Sequence, residues 1–250
     1  MTRAAKGARR RKPSATARVR RFWIAIVVLL AVFGIAGYAL ASWRGFRVTR
    51  IVVRGNAVVS RSQIVARAAI SPRANIWFLN TRAITTRIDA IPDVLASQVH
   101  RYLPNNLIVD VTERVPFARV ASVGGVGVVD ATLRVLSGEH GSAQLPLLYA
   151  AHPTALKPGS FLTEPGLTAL VDDERLLKRA SLAPRELRYD RFHELVVTLP
   201  SGVRVLLGDR THLKRKVALI KPILNQLAHN GRHISALDLR APTAPVVVYR

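Results

Sequence analysis

Twenty-two consecutive residues without a charged side chain, residues 22–43, are the feature that most constrains what this chain can fold into. A helix rises about 1.5 Å per residue, so the segment reaches roughly 33 Å, enough for a hydrocarbon core of about 30 Å. Trp23 and Trp43 stand near its two ends, where indole rings favour the lipid headgroups. The sequence therefore predicts a transmembrane helix over residues 22–43.

A cleaved signal peptide is the competing interpretation of this segment. Ala39-Leu40-Ala41 has the small-x-small pattern of a cleavage site. The apolar stretch, however, exceeds the roughly 7–15 residues of a signal-peptide core. The length therefore favours a permanent anchor.

The flanking charges predict the orientation of the anchor. Residues 1–21 carry nine Lys or Arg side chains and no acid, whereas the 20 residues beyond the segment carry five Arg. Long translocated domains count little in the positive-inside rule, so the short tail should decide. We expect a single-pass type II protein of the plasma (inner) membrane. Its basic tail, 1–21, should be disordered and cytoplasmic, and the rest extracytoplasmic.

The formal net charge of +23 does not indicate a nucleic-acid-binding protein, because the charge is unevenly distributed. All 15 acidic residues lie at or after Asp89, and the basic excess is concentrated before it. Zinc-finger spacing, aromatic-basic RNA signatures and a basic heptad region are missing from the sequence. The chain also has no cysteine, which excludes disulfides and thiol chemistry. We expect lipid contact for the tail and no nucleic-acid partner.

Residues 46–113 have the pattern of a small α+β domain. A β-branched strand (46–54) precedes a capping box at Ser60 and Gln63, two short helices follow, and strands are expected at 96–102 and 107–113. The predicted order is β-α-α-β-β, with both helices packed on one face of the sheet.

Residues 117–250 have the pattern of a mostly antiparallel β domain with flanking helices. Helices are predicted at 164–179 and 211–229, and strands at 118–122, 126–130, 133–136, 186–190, 194–199, 203–207, 234–239 and 246–250. The fold class is therefore α+β. The predicted divisions are a tail (1–21), a transmembrane helix (22–43), a first domain (44–116) and a β domain (117–250).

No residue pattern in the sequence indicates catalysis, a metal or a cofactor. Gly125-Val126-Gly127 precedes a strand rather than a helix, which argues against a nucleotide loop. Serine-hydrolase motifs are missing, and Asp172, Asp173 and Glu174 form a run on one helix instead of an opposed pair. We therefore expect no enzyme activity, no catalytic residue, no metal and no cofactor.

Ordered motifs along the chain resemble those of a known family. Residues 46–56 (FRVTRIVVRGN), 75–80 (NIWFLN) and 96–118 (ASQVHRYLPNNLIVDVTERVPFA) look like a POTRA domain. Residues 145–148 (LPLL), 199–202 (LPSG), 206–208 (LLG) and 234–240 (ISALDLR) are similar, in order, to motifs of the bacterial FtsQ/DivIB family. That family combines a basic tail, one spanning helix, a POTRA domain and a β domain.

The resemblance implies a non-enzymatic scaffold of the divisome at the division septum. Members bind FtsB/DivIC-like and FtsL-like single-pass proteins, and other divisome components could use the POTRA domain. The family's binding mode is strand addition to the last strand of the β domain. Carried over to this chain, the resemblance implies partner-binding residues Arg240, Val246, Val247, Val248 and Tyr249.

Two other functions remain open at this point. POTRA domains in general bind strands, so the protein could bind or chaperone other polypeptides during export. The third hypothesis is an enzyme of the cell wall that is anchored in the membrane.

Overall fold

A computed structural model describes residues 15–138, 142–229 and 233–250 of the chain. The first 14 residues of the predicted basic tail lie outside the described residues. The helices and strands in chain order are α1 (Ala15–Ala41), β1 (Arg50–Arg54), α2 (Arg61–Ala68), α3 (Thr81–Asp89), β2 (Val94–Tyr102), β3 (Asn106–Glu113), β4 (Pro116–Ser122), β5 (Gly125–Asp130), β6 (Leu147–Tyr149), α4 (Pro165–Arg179), β7 (Glu186–Tyr189), β8 (Leu195–Thr198), β9 (Arg204–Gly208), α5 (Leu213–His229), β10 (Ile234–Asp238) and β11 (Val246–Tyr249).

Internal contacts divide the chain into two units. The first takes its described residues from Met1–Val52, Ser71–Asn80 and Arg101–Ile108. The second comprises the described residues within Val53–Ile70, Thr81–His100 and Val109–Arg250.

Helix α1 contains a stretch, Val19–Ala41, that is long and apolar enough to cross a membrane. It ends two residues before the predicted end at Trp43, and a short 3-10 helix, Arg44–Phe46, follows. The early end has a local cause: the side-chain amide of Asn75 donates to the carbonyl of Ala41 at 2.8 Å. A terminal carbonyl that already has this partner does not need another helical turn.

The expected β-α-α-β-β order is confirmed, with the three strands paired in the order β1-β3-β2. Strand β1 begins at Arg50, four residues later than predicted. Ser60 caps α2 as expected, since its hydroxyl accepts from the backbone N–H of Gln63 at 3.2 Å.

The turn after β1 is stabilised from β3. Gly55 has a φ of +79°, and a Cβ at this position would lie 2.2 Å from the carbonyl oxygen of Val111, so only glycine fits. The carboxylate of Glu113 accepts from the backbone N–H groups of three consecutive residues, Ala57, Val58 and Val59, at 2.8–3.1 Å. Backbone donors that would otherwise face out of the turn are thereby paired.

Eight strands form the second sheet, in the order β11-β10-β9-β8-β7-β6-β4-β5. The sheet is mixed: four of its seven pairings are antiparallel, while β4–β6, β6–β7 and β9–β10 are parallel. Parallel neighbours need a crossover, and α4 and α5 supply it for β6–β7 and β9–β10 respectively. The predicted strand at 133–136 forms only isolated bridges at Arg134 and Val135.

Both crossover helices bury their apolar stripes in one continuous core with the sheet. Leucines of α4 and Leu213, Val217 and Ile220 of α5 join inward-facing residues of the strands. The core extends to Leu237 and Leu239, and half-buried Val247 packs against it. Strands β10 and β11 are therefore held to the domain by hydrophobic contacts as well as by their ladder.

A polar network inside the second unit joins the turn before β2 to the loop after β5. Arg114 Nη1 lies 2.5 Å from Asp130 Oδ2, with both side chains almost fully buried. Arg114 Nε also donates to the carbonyl of Val94 at 3.1 Å. Asp93 accepts from both the backbone N–H and the hydroxyl of Ser137. These bonds connect residues on both sides of the predicted boundary at residue 116.

A candidate partner-binding edge

Strand β11 lies at one edge of the eight-stranded sheet, with β10 on its only paired side in the described part of the chain. The register pairs Val246 with Asp238, Val247 with Leu237 and Val248 with Ala236. An irregularity between Ile234 and Ala236 follows, and Tyr249 then pairs with Ile234. Edge strands are the usual template for pairing with another chain.

Hydrogen bonds fix which backbone groups of β11 face inward. Arg250 N–H donates to the carbonyl of His233 at 3.1 Å, and the Ser235 hydroxyl reaches the carbonyls of both Val248 and Tyr249, at 3.2 and 3.4 Å. On the other side of β10, Leu239 N–H donates to the carbonyl of Leu206 at 2.8 Å, which leaves the partners of Val246 and Val248 to face β11. Inward and outward groups alternate along an antiparallel strand, so residues 246, 248 and 250 point toward β10. The N–H and C=O of Val247 consequently point away from the sheet.

The side chains of β11 alternate between solvent and the core. Val246 and Val248 are 56% and 49% exposed, whereas Val247 is half-buried against the core. Tyr249 is 46% exposed. The strand therefore has an inner anchor and two valines in solvent, a surface that a second apolar strand could cover.

Arg240 follows β10 and is held by two acids. Its guanidinium donates to both carboxylate oxygens of Asp238, at 2.7–3.1 Å, and lies 3.6 Å from Glu194 Oε2. The hydrogen bonds from Arg240 hold the pKa of Asp238 below its usual range. Its side chain also packs on Gly208, where a Cβ would lie 2.9 Å from Arg240 Cγ. Arg240 is already paired with Asp238 within the chain, so a contact between Arg240 and a partner protein stays a prediction.

The predicted site residues do not form one cluster. Arg240 lies near the Val246 end of the hairpin, because Asp238 pairs with Val246. Tyr249 is three residues further, about 10 Å along the strand. A partner that contacts both residues must run along the full length of β11.

Strand β5 forms the opposite edge of the same sheet and is only partly open. Leu136 N–H donates to the carbonyl of Val128 at 2.8 Å, and Asp130 N–H donates to the carbonyl of Arg134 at 3.1 Å. The second half of β5 is thus covered by the segment that was predicted to be a strand. Among the described residues, β11 is the more open of the two edges.

Sequence reasoning missed Glu194 and Ser235 as neighbours of this edge. Glu194 precedes β8, and Ser235 lies at the irregularity of β10. No local pattern predicts these contacts. The contact of Glu194 with Arg240 depends on strand order, and the position of Ser235 depends on the register irregularity between Ile234 and Ala236. In the described part of the chain, no group of three or more His, Asp or Glu side chains is placed to hold a metal ion.

Comparison with known proteins identifies the first domain and extends the similarity over most of the chain. The model of the POTRA domain, FtsQ-type, matches residues 46–114. A protein of Streptomyces venezuelae named cell division protein FtsQ is 27% identical over 239 residues, which cover 90% of this chain and 83% of that protein.

Shorter and stronger matches come from two other bacteria. Cell division protein FtsQ of Syntrophotalea carbinolica is 36% identical over 97 residues, 39% of this chain and 34% of that protein. Cell division protein DivIB of Clostridium tetani is 31% identical over 70 residues, 28% of this chain and 26% of that protein. This chain therefore spans about a third of the Syntrophotalea protein in the matched region.

Proposed function

We propose that this chain is a non-enzymatic scaffold of the divisome and belongs with the FtsQ/DivIB cell division proteins, which its match to the FtsQ-type POTRA domain and its relatives named FtsQ and DivIB support. It binds FtsB/DivIC-like and FtsL-like single-pass proteins at the division septum and helps organise septal peptidoglycan synthesis. The observation that carries the proposal is the open edge formed by β11 in the eight-stranded sheet.

The proposed topology places residues 1–21 in the cytoplasm and everything after α1 outside the plasma membrane. Nine basic and no acidic residues in the tail support this orientation. The proposed division of the outer part is a POTRA domain over 44–116 and a β domain over 117–250. An outward-facing β domain attached by one helix is available to other single-pass proteins of the same membrane.

Binding proceeds by addition of a partner strand to β11. The outward N–H and C=O of Val247 pair with the partner backbone, which supplies affinity without sequence preference. The exposed Val246 and Val248 side chains add apolar contact on one face of the strand. Tyr249 contributes its exposed ring at the far end of the strand.

Charge at the near end of β11 selects the partner. Arg240, Asp238 and Glu194 together carry one positive and two negative charges, so a partner acid does not meet a free cation there. The partner carboxylate pairs with Arg240 by displacing Glu194, whose contact with Arg240 is 3.6 Å long. The shorter hydrogen bonds from Arg240 to Asp238 remain. The pair with Asp238 thus positions the guanidinium.

A backbone-directed substitution tests strand addition. Val247→Pro removes the outward N–H, and Val247→Ala keeps that N–H while shortening the same side chain. We expect co-purification of an FtsB-like partner with the full chain to be lost for Val247→Pro and largely retained for Val247→Ala. Equal capture by both variants, or full capture by a chain lacking residues 241–250, would refute the proposed mode.

A further inference from the structure

Five aromatic residues surround the end of the membrane helix in the first unit. The ring centroids of Tyr38 and Phe78 are 5.7 Å apart, those of Trp43 and Phe46 are 6.1 Å apart, and those of Phe46 and Trp77 are 5.8 Å apart. Trp43, Trp77 and Phe78 are nonetheless 64%, 46% and 58% exposed. Exposed large apolar side chains clustered in this way mark an interaction surface.

The segment that carries Trp77 and Phe78 is firmly attached beside the end of α1. Asn75 donates through its side chain to Ala41, and its Oδ1 accepts from the N–H of Trp77 at 2.9 Å. Backbone bonds add to this: Val48 N–H donates to Ala74, and Ile76 N–H donates to Phe46, both at 2.9 Å. The position of this loop, residues 71–80, is therefore set by residues just after the helix.

The contact between Phe78 and Tyr38 sets the depth of the loop. Tyr38 precedes the end of α1 at Ala41 by three residues, or about 4.5 Å along the helix axis. Tyr38 also lies inside the apolar stretch Val19–Ala41. A ring packed on Tyr38 is therefore level with the last turn of the spanning helix, on the membrane side of the helix end.

The charges of this unit fit a lipid surface. Its described residues after α1 include five arginines and no acid; these are Arg44, Arg47, Arg50, Arg73 and Arg101. Guanidinium groups form strong hydrogen bonds with phosphate oxygens, and indole and phenol rings favour the headgroup region. A unit that combines exposed aromatic rings with arginines and has no acid therefore suits the headgroup region of a bilayer.

We propose that loop 71–80 is a membrane-contacting element that immerses Trp77 and Phe78 in the outer interface of the bilayer. The arginines of the same unit then contact lipid phosphates. The membrane contact of this protein consequently extends beyond its single helix, and the start of the POTRA domain is held at the membrane surface. The inference depends on α1 spanning the bilayer and is independent of the partner-binding role of β11.

Spin labels on single cysteines test the proposal cleanly, because the chain has no native cysteine. The full chain is reconstituted in vesicles of phosphatidylcholine and phosphatidylglycerol with a label at Phe78→Cys. Leu30→Cys, exposed on α1, is the reference for the membrane interior. Phe192→Cys is the matched control, a phenylalanine that is 67% exposed in the second unit.

The measurement is the collision rate of each label with oxygen relative to a water-soluble nickel complex. We expect the ratio at position 78 to exceed that at position 192 several-fold and to stay below that at position 30, which lies deeper in the bilayer. A ratio at position 78 equal to that at position 192 overturns the proposal. A water-like ratio at position 30 overturns it as well, since α1 would then lie outside the bilayer.

Tryptophan fluorescence gives a second test without a label. The chain has three tryptophans, so Trp23→Phe with Trp43→Phe leaves Trp77 as the sole emitter and preserves aromatic rings at both sites. We expect blue-shifted emission that brominated phospholipids quench and iodide does not. Emission that iodide quenches and brominated lipids leave unchanged contradicts the proposal.

Discussion

Replacing Arg114 by methionine tests how strongly the buried network stabilises the second unit. Methionine keeps an unbranched apolar chain but removes the ion pair with Asp130, which is 2.5 Å long with side chains 8% and 7% exposed. It also removes the bond from Arg114 Nε to the carbonyl of Val94, a fully buried residue. The backbone bond from Arg114 N–H to Asp93 is unaffected.

The expected destabilisation follows from the groups left behind. Breaking a buried ion pair costs about 3–5 kcal/mol, because one charge remains without its partner. Asp130 retains three donors, the N–H and hydroxyl of Thr132 and the N–H of Arg134, which reduce that cost. The carbonyl of Val94 loses its donor from Arg114, which adds to the cost. We therefore expect the free energy of unfolding to fall by about 4 kcal/mol in total. At about 2–4 °C per kcal/mol for a unit of this size, Tm should fall by about 8–16 °C.

Thermal unfolding of the full chain in non-ionic detergent, followed by far-UV circular dichroism, provides the assay. Tryptophan emission does not report on this unit, because Trp23, Trp43 and Trp77 all belong to the other one. Arg54→Met, at the exposed end of β1, is the matched control. If Arg114→Met lowers Tm no more than Arg54→Met does, the network is not the stabilising element inferred from its geometry.

The same variant makes a signed prediction about pH. Burial acts to raise the pKa of Asp130, but hydrogen bonds from Thr132, Arg134 and Arg114 outweigh it and hold that pKa below the usual value. The stability contributed by this carboxylate is therefore present above the pKa of an unfolded aspartate and is lost as the pH falls through the lowered pKa. We expect the Tm difference between wild type and Arg114→Met to shrink toward acid pH.

Two further substitutions test other parts of the fold. Gly55→Ala places a Cβ 2.2 Å from the carbonyl oxygen of Val111 at a φ of +79°, so it should destabilise the chain by at least about 1–2 kcal/mol. Gly124→Ala, where a Cβ meets nothing within 4 Å, is its control, and equal melting temperatures for the two would contradict the assignment. Asp173→Asn concerns a buried carboxyl that accepts from the Tyr189 hydroxyl at 2.7 Å and lies 3.0 Å from Arg210. Burial raises the pKa of Asp173 despite these partners, so its ionisation costs stability as the pH rises through that pKa. Asparagine cannot ionise, and the Tm of wild type relative to Asp173→Asn should fall as the pH rises above the ordinary aspartate range; a difference constant with pH would rule this out.

Several elements could be predicted because their signals are local. The long apolar helix α1 follows from an unbroken apolar run, a signal that lies within one segment of the sequence. The cap at Ser60 and the β-branched run at 246–248 depend on neighbours within a few residues. Strand β6 has no such local signal, because its three residues are too few to display a period.

Strand order, parallel pairing and the contacts at the edge were decided only by the tertiary structure. The sequence alone indicated a terminal strand but not that β10 lies beside β9 in parallel, or that Glu194 reaches Arg240. Likewise, residues 75–80 could be recognised as a motif, while the contact between Phe78 and Tyr38 joins positions 40 residues apart. Composition determines which segments enter a membrane or a sheet, whereas the neighbours of each segment depend on long-range packing that no local pattern contains.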